Sequence, residues 1–322
     1  MSTQSLVRSY FRSFSADLCH RPLLWGPVSE VYGRKISMLP AVFCLGVFSI
    51  GTAVSQTAAS VLITRFISGV FGSALVSNVS AALGDLYQPE ARGIAVSFYA
   101  VCTVGGPTLG PTIAAAILVN PALDWRWTEY VEAIFVFAVA ALSFFVMPEL
   151  YAPVLLSRKA RRLRKETGDN RYWHPHESVK IDLNNILTKF LSRPLRMLVT
   201  EPMVACIALY ASFVYGMLFL TLEVFPIVYA ENRTWGPVVS TLPFLGLFVG
   251  VLFALAINLA FQPYYHRAVA ISNGQAVPEA RLLPMVVGAT LFIIGLFLFA
   301  WTADPNINWA PSVIATVFIG AG

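Results

Sequence analysis

The chain has 322 residues, 57% of them hydrophobic and only 12% charged, with a mean hydropathy of +0.68. A soluble domain carries about 25% charged residues, so half that supply excludes a water-soluble body of this size and leaves a polytopic membrane protein. The net charge of +5 does not mark a nucleic-acid binder, because eleven of the 22 basic residues crowd into one stretch, Arg158 to Arg196.

In chain order, residues 1–22 are polar, with Arg8, Arg12 and Arg21 against the single acid Asp17. They read as a tail, the alternative being a transit-peptide-like leader. Gly26 to Lys35 follows as a tight charged reversal at a membrane face, with Glu30 in its middle and Gly33-Arg34-Lys35 closing it. Gly33 permits a sharp turn that other residues resist, and the basic pair keeps the turn from crossing the bilayer.

Seven apolar runs are long enough to span a membrane, which takes about 20 residues. They lie near 37–55, 61–83, 93–118, 130–148, 203–229, 237–261 and 284–302. An eighth run, Ala310 to Gly322, rises only about 20 Å as a helix, short of a hydrocarbon core of about 30 Å. The expected division is a tail (1–22), an N-terminal helix bundle (23–148), a basic central loop (149–200) and an incomplete C-terminal bundle (201–322).

Orientation follows from the loops. The turns at 26–36 and 84–92, the central loop and the 262–283 loop hold sixteen Lys and Arg residues, whereas the alternate loops hold only Arg126 and Arg233. The sixteen mark the cytoplasmic side. Trp125, Trp127, Trp235, Trp301 and Trp309 fall at the outer interface. Asn232-Arg233-Thr234 is an N-glycosylation sequon on that side, in a very short loop; Asn78-Val79-Ser80 lies inside a span and is expected to be silent. Leu155 to Thr167 sets leucines among Arg and Lys, as a helix lying on the anionic inner leaflet does, with a partner-binding role as the alternative.

Few residues inside the runs carry chemistry. Arg65 is a charge within a span, which costs a few kcal/mol and marks either a functional site or a side chain snorkelling to the outer interface. Glu223, in the outer part of the fifth run, is placed to take a proton or to face an outer vestibule; Glu132 is a second acid of this kind. Asn258 suits an interhelical hydrogen bond. Gly105-Gly106-Pro107-Thr108-Leu109-Gly110-Pro111 is expected to kink its helix and to allow close packing. Cys19, Cys44, Cys102 and Cys206 are scattered, without the spacing of a metal site or disulfide framework. Among the four histidines only His174-Pro175-His176 cluster, without the acids or cysteines of metal chemistry, so neither an enzyme nor a metal or other cofactor is expected.

Gly26-x-x-Ser29-Glu30-x-x-Gly33-Arg34-Lys35 resembles the loop between the second and third helices of major facilitator superfamily transporters. In that family the loop latches the cytoplasmic side. Asp85-Leu86-Tyr87-x-x-Glu90-x-Arg92-Gly93 resembles the element that braces it, and Arg65 with its neighbours resembles the fourth-helix motif whose arginine is linked to proton coupling. Gly106-Pro107-x-x-Gly110-Pro111 looks like the fifth-helix antiporter motif, although Cys102 stands where a glycine is expected. Asp124-Trp125-Arg126-Trp127 beside Glu129, Pro148-Glu149-Leu150-Tyr151, Glu201-Pro202-Met203 and Leu242-Pro243-Phe244-Leu245-Gly246 are similar to the fungal twelve-helix drug:proton antiporters, a group of multidrug and polyamine exporters.

The resemblance implies an all-α, partial major-facilitator fold, about seven complete helices and a truncated one corresponding to helices 3–10 of 12. It implies proton-coupled efflux by alternating access, with Arg65, Glu223 and Glu132 as coupling residues, in the plasma or the vacuolar membrane. Its partners would be amphipathic or cationic small molecules, protons and the lipid bilayer. Truncation at both ends implies weak or no transport by the chain alone; the alternative is an inactive or regulatory fragment that pairs with a full-length transporter.

Overall fold

The computed structural model describes residues 25–178, 192–272 and 277–322. The polar tail, and Lys180 and Lys189 of the central loop, lie outside the described residues. Those described form helices and connecting turns, without a β-strand among them. After a short helical segment at 25–32, the long helices are α1 (Arg34–Val54), α2 (Ala58–Leu86), α3 (Pro89–Leu118) and α4 (Arg126–Val146). They continue with α5 (Ala152–Thr167), α6 (Ser192–Thr200), α7 (Pro202–Pro226), α8 (Leu242–Ile271), α9 (Leu282–Thr302) and α10 (Trp309–Ala321).

Seven of these are long and apolar enough to cross a membrane. They coincide with the seven runs read from the sequence, and the eighth run is the 13-residue α10. Only α8 is displaced, starting five residues later and ending ten later than its apolar run. Pro243 sits in its first turn, where proline lacks no needed donor, and its polar end, Gln262 to Arg267, extends the helix past the apolar run. α7 ends in a π-helical turn, Ile227–Asn232. The basic segment of the central loop is α5, closed by Gly168 in the left-handed conformation (φ +69°).

The described chain forms two compact units that interleave in sequence. One holds the residues up to Leu86 with Trp125–Ala208, the other Tyr87–Asp124 with Leu209–Gly322. This grouping cuts across the chain-order division at 148 and 201, because α3 packs on α8 in the second unit. In the first unit α1 packs against both α2 and α4. Asn78, buried at 1% exposure, bonds the Ser37 hydroxyl across α1 and α2 (3.3 Å), the use to which this in-span sequon residue is put.

In the second unit α8 packs against α3 and α10, and α9 against α10, around Phe225, Tyr229, Phe244, Leu247, Phe292 and Phe299. Lipid is as apolar as leucine, so helices in a membrane gain by close backbone approach. Gly246-x-x-x-Gly250 supplies that approach on α8, where a Cβ on Gly250 would run into the Val317 carbonyl of α10. Gly105, in the glycine- and proline-rich part of α3, faces the Phe248 ring, which a Cβ would crowd at 3.1 Å, while Gly106 and Gly110 have open space at the Cβ position; α3 stays helical throughout, with Pro107 and Pro111 inside it.

Replacing Gly250 by Val should therefore force α8 and α10 apart, at an overpacking cost of about 1–3 kcal/mol. Thermal unfolding in detergent should show a melting temperature several degrees lower. An unchanged value would contradict this packing.

Candidate functional site

The charged reversal folds into a clasp within the first unit. Gly33 is the N-cap of α1 with φ +101°, a left-handed conformation that favours glycine, and it has no side chain with which to cap the exposed N–H groups. Glu149, just past the end of α4, supplies the missing acceptor. Its Oε1 accepts from the Arg34 backbone N–H at 2.8 Å, and from those of Leu150 (3.1 Å) and Tyr151 (3.2 Å). A carboxylate at a helix N-terminus also meets the positive end of the helix dipole. A Cβ on Gly33 would collide with this carboxylate, so the glycine is required twice, for its backbone and for space.

Arg34 is the centre of the clasp and is 6% exposed. Its Nε donates to Asp85 at the end of α2 (3.0 Å), an Nη donates to Ser29, and the guanidinium lies 5.0 Å from the centre of the Tyr151 ring. Three segments are thereby tied together: α1, the end of α2 and the α4–α5 connection. Lys35 donates to the Phe144 carbonyl near the end of α4 (3.1 Å). The central loop reaches the clasp through His176, whose Nε2 lies 3.1 Å from the Val31 carbonyl and whose ring stands edge-on to Tyr151. Glu177 next to it holds Arg164 at 2.7 Å. Burial pushes the Tyr151 phenol above its ordinary value of 10; Glu30 and Asp85 add to the push and Arg34 opposes it.

The sequence-derived latch residues divide between the two units. Gly33, Arg34, Lys35 and Asp85 take part in the clasp, Gly26 accepts the Ser29 hydroxyl through its carbonyl, and Glu30 sits exposed at the rim. Arg92 and Gly93 belong to the second unit, where both border a cavity. Glu149 was legible only as part of a resemblance, with no role attached. Its signal was an acid directly after a span and a proline.

A second polar group lies near the N-terminal ends of α2 and α4. Arg65 does not snorkel alone: its guanidinium pairs with Glu129 of α4, whose side chain is 6% exposed. Glu132, one turn further along α4 and exposed, is within electrostatic reach of the same guanidinium. Thr52 and Thr64 bond each other nearby, between α1 and α2 (3.0 Å). The sequence reading missed Glu129 as the partner, although opposite charges near one interface of two spans were the available signal.

Glu223 is exposed on α7 in the second unit. Asn232, the sequon residue, is exposed at the end of the π turn. Its neighbour Arg233 binds three backbone carbonyls, of Thr302, Asp304 and Ile307, between α9 and α10. Asn258, read as an interhelical hydrogen-bonding residue, borders two cavities. Cys44, Cys102 and Cys206 are free thiols.

Two predictions follow from the clasp. Gly33→Ala should lower the melting temperature, through a left-handed backbone cost of about 1–2 kcal/mol and the collision with Glu149. Glu149→Ala should lower it too, by loss of the trans-cap. The double variant should be less destabilised than the sum, because the alanine at 149 removes the collision; strict additivity would contradict the contact. Tyr151 has a folded value above its unfolded one, so its neutral form stabilises the fold below pH 10 and this contribution is lost as pH rises beyond it. Tyr151→Phe should flatten the alkaline end of the stability profile.

The comparisons with known proteins agree with this architecture. Residues 22–322 match the family model described as Major Facilitator Superfamily. A citrinin biosynthesis cluster MFS transporter, mrr1, of Monascus ruber is 41% identical over 94% of this chain and 60% of its own length. The efflux pump bik6 of Gibberella fujikuroi is 41% identical over 94% and 62% respectively. The multidrug transporter FLU1 of Candida albicans is 34% identical over 94% of this chain and 50% of its own. The chain thus spans about 60% of the length of the first two of these curated relatives. Among solved structures, the partially occluded inward-open xylose transporter XylE of E. coli superposes with a TM-score of 0.64 at 17% identity, covering 98% of this chain and 71% of that one. With seven helices among the described residues long and apolar enough to cross a membrane, and a family match over nearly its whole length, the chain is a multi-pass membrane protein that belongs to the Major Facilitator Superfamily.

Proposed function

We propose that the chain serves proton-coupled efflux of small amphipathic molecules by alternating access, at the plasma membrane, with Glu129 as the proton acceptor and Arg65 as its release. The observation that carries this reading is the buried carboxylate of Glu129 held against a cation inside the membrane-spanning part of the chain. A carboxylate among apolar neighbours keeps its charge only while a cation stands beside it. A proton delivered from the outer side neutralises Glu129 and frees the Arg65 guanidinium. Glu132 lies near enough to take up that charge.

On the cytoplasmic side the Arg34 clasp supplies the reversible closure. Its bonds end on three separate segments, so opening costs a set of charge-assisted hydrogen bonds together and closing restores them together. Glu223 of the second unit is the remaining candidate for the proton or the substrate. The naming of similar fungal proteins as an efflux pump and a multidrug transporter supports export over uptake.

The test is efflux of a preloaded amphipathic dye from yeast stripped of its own exporters. Cells expressing the chain should clear the dye faster than controls, in place of the weak or absent transport that truncation implied, and a protonophore should abolish the difference. Glu129→Gln should reduce clearance by at least about tenfold, as removal of a general acid–base group does, while Glu129→Asp retains part of it. Clearance that Glu129→Gln leaves intact would contradict the assignment.

A further inference from the structure

Two cavities of the second unit share a wall. The larger, about 310 Å³, is bordered mainly by apolar side chains, among them Val101, Val104, Leu247, Val251 and Phe292. That volume is at the small end of ligand sites, which run from about 300 to 1,000 Å³. The smaller, about 200 Å³, is bordered by Arg92, Gln262 and Tyr265 together with apolar residues. Ser97 of α3 and Asn258 of α8 border both.

The two helices present these residues as continuous stripes. On α3, Arg92, Val96, Ser97, Val101 and Val104 recur at helical spacing. On α8, Val251, Asn258, Gln262 and Tyr265 do the same. Arg92 lies five residues before Ser97, a rise of about 7.5 Å along the helix. A polar, cation-bearing mouth therefore leads over Ser97 and Asn258 into an apolar chamber.

The charges decide what fits. Among the described residues, Arg92 is the one charged residue bordering either cavity, and no Asp or Glu borders them. Glu279 precedes Ala280 of the smaller cavity, but is exposed and is not among its lining. A cation entering the chamber would exchange water for apolar walls and one like charge, an uncompensated cost. An anion of matching length would meet a guanidinium, whose planar fork pairs with a carboxylate through two hydrogen bonds. The side-chain amide of Asn258 provides further N–H groups along the way.

We propose that the second unit binds an amphipathic organic anion, with a compact apolar body in the larger cavity and a carboxylate-type head directed to Arg92 through the smaller one. This rests on the efflux reading and makes its cargo acidic, in place of the cationic class that the sequence resemblance allowed.

The experiment is equilibrium binding to the purified chain in lipid nanodiscs, corrected for empty discs, with three probes of one shape. These are 2-naphthoate, neutral 2-naphthamide and the 2-naphthylmethylammonium cation, all at pH 7. Naphthoate should bind about fivefold more tightly than the amide, the scale of one partly exposed charge pair, and the ammonium most weakly. Arg92→Gln should bring naphthoate down to the amide's affinity, Arg92→Lys should keep most of the preference, and unchanged amide binding certifies the fold. Should Arg92→Gln fail to fold, Asn258→Asp gives a second reading: an acid at the shared wall should reverse the order of anion and cation. Ammonium binding as tight as naphthoate, or a preference that survives Arg92→Gln, would overturn the proposal. Because binding needs no proton gradient, an anion preference in a chain that exports nothing would sustain this assignment while refuting the efflux reading.

Discussion

One carboxylate, that of Glu149, stands where α1 begins, and the clasp of the first unit depends on it. α1 starts at a glycine that cannot cap it, so its first N–H would face a low-dielectric boundary with no partner. Glu149 reaches across from the end of α4 to accept that N–H and two others in its own connection. The same placement forces position 33 to be glycine and orients Arg34 toward Asp85, Ser29 and Tyr151. Burying a guanidinium is tolerable because it bonds Asp85 and Ser29 and lays its face on the Tyr151 ring.

The same rule governs the pair near the N-terminal ends of α2 and α4. A charge inside the bilayer persists only when paired, and Arg65 and Glu129 satisfy each other between α2 and α4. The two sites differ in their partners. At the clasp, one oxygen of the Glu149 carboxylate accepts from three backbone N–H groups. At the Arg65–Glu129 pair one cation holds one acid, with a second acid, Glu132, one turn away.

Apolar run length and the alternation of basic loops made the helices legible, because a bilayer imposes both on any spanning chain. The exception was α8, whose polar end continues the helix where hydropathy alone stops it. The residues of the clasp were legible as a motif through Gly33, Arg34 and Asp85, which lie in two short segments. Its completion by Glu149 depends on a contact spanning 115 residues of sequence, which no local pattern encodes. Arg65 was conspicuous as a lone charge, but no partner for it was read from the sequence; Glu223 and Glu132 drew attention as acids because they sit deeper in their runs. Glu129, nearer the interface, is the one that α4 turns toward the guanidinium. The apolar chamber and its cationic mouth were invisible beforehand, because they arise from the facing of α3 and α8, whose residues are far apart in the chain.

Whether Glu129 takes up a proton is the most direct question the coupling account raises, and infrared difference spectroscopy of the purified chain in lipid answers it. On acidification, a carbonyl band of a newly protonated buried carboxyl group should appear in the unaltered protein and be missing from Glu129→Gln. Identical spectra for the two would contradict the account, leaving the Arg65–Glu129 pair as a permanent structural tie.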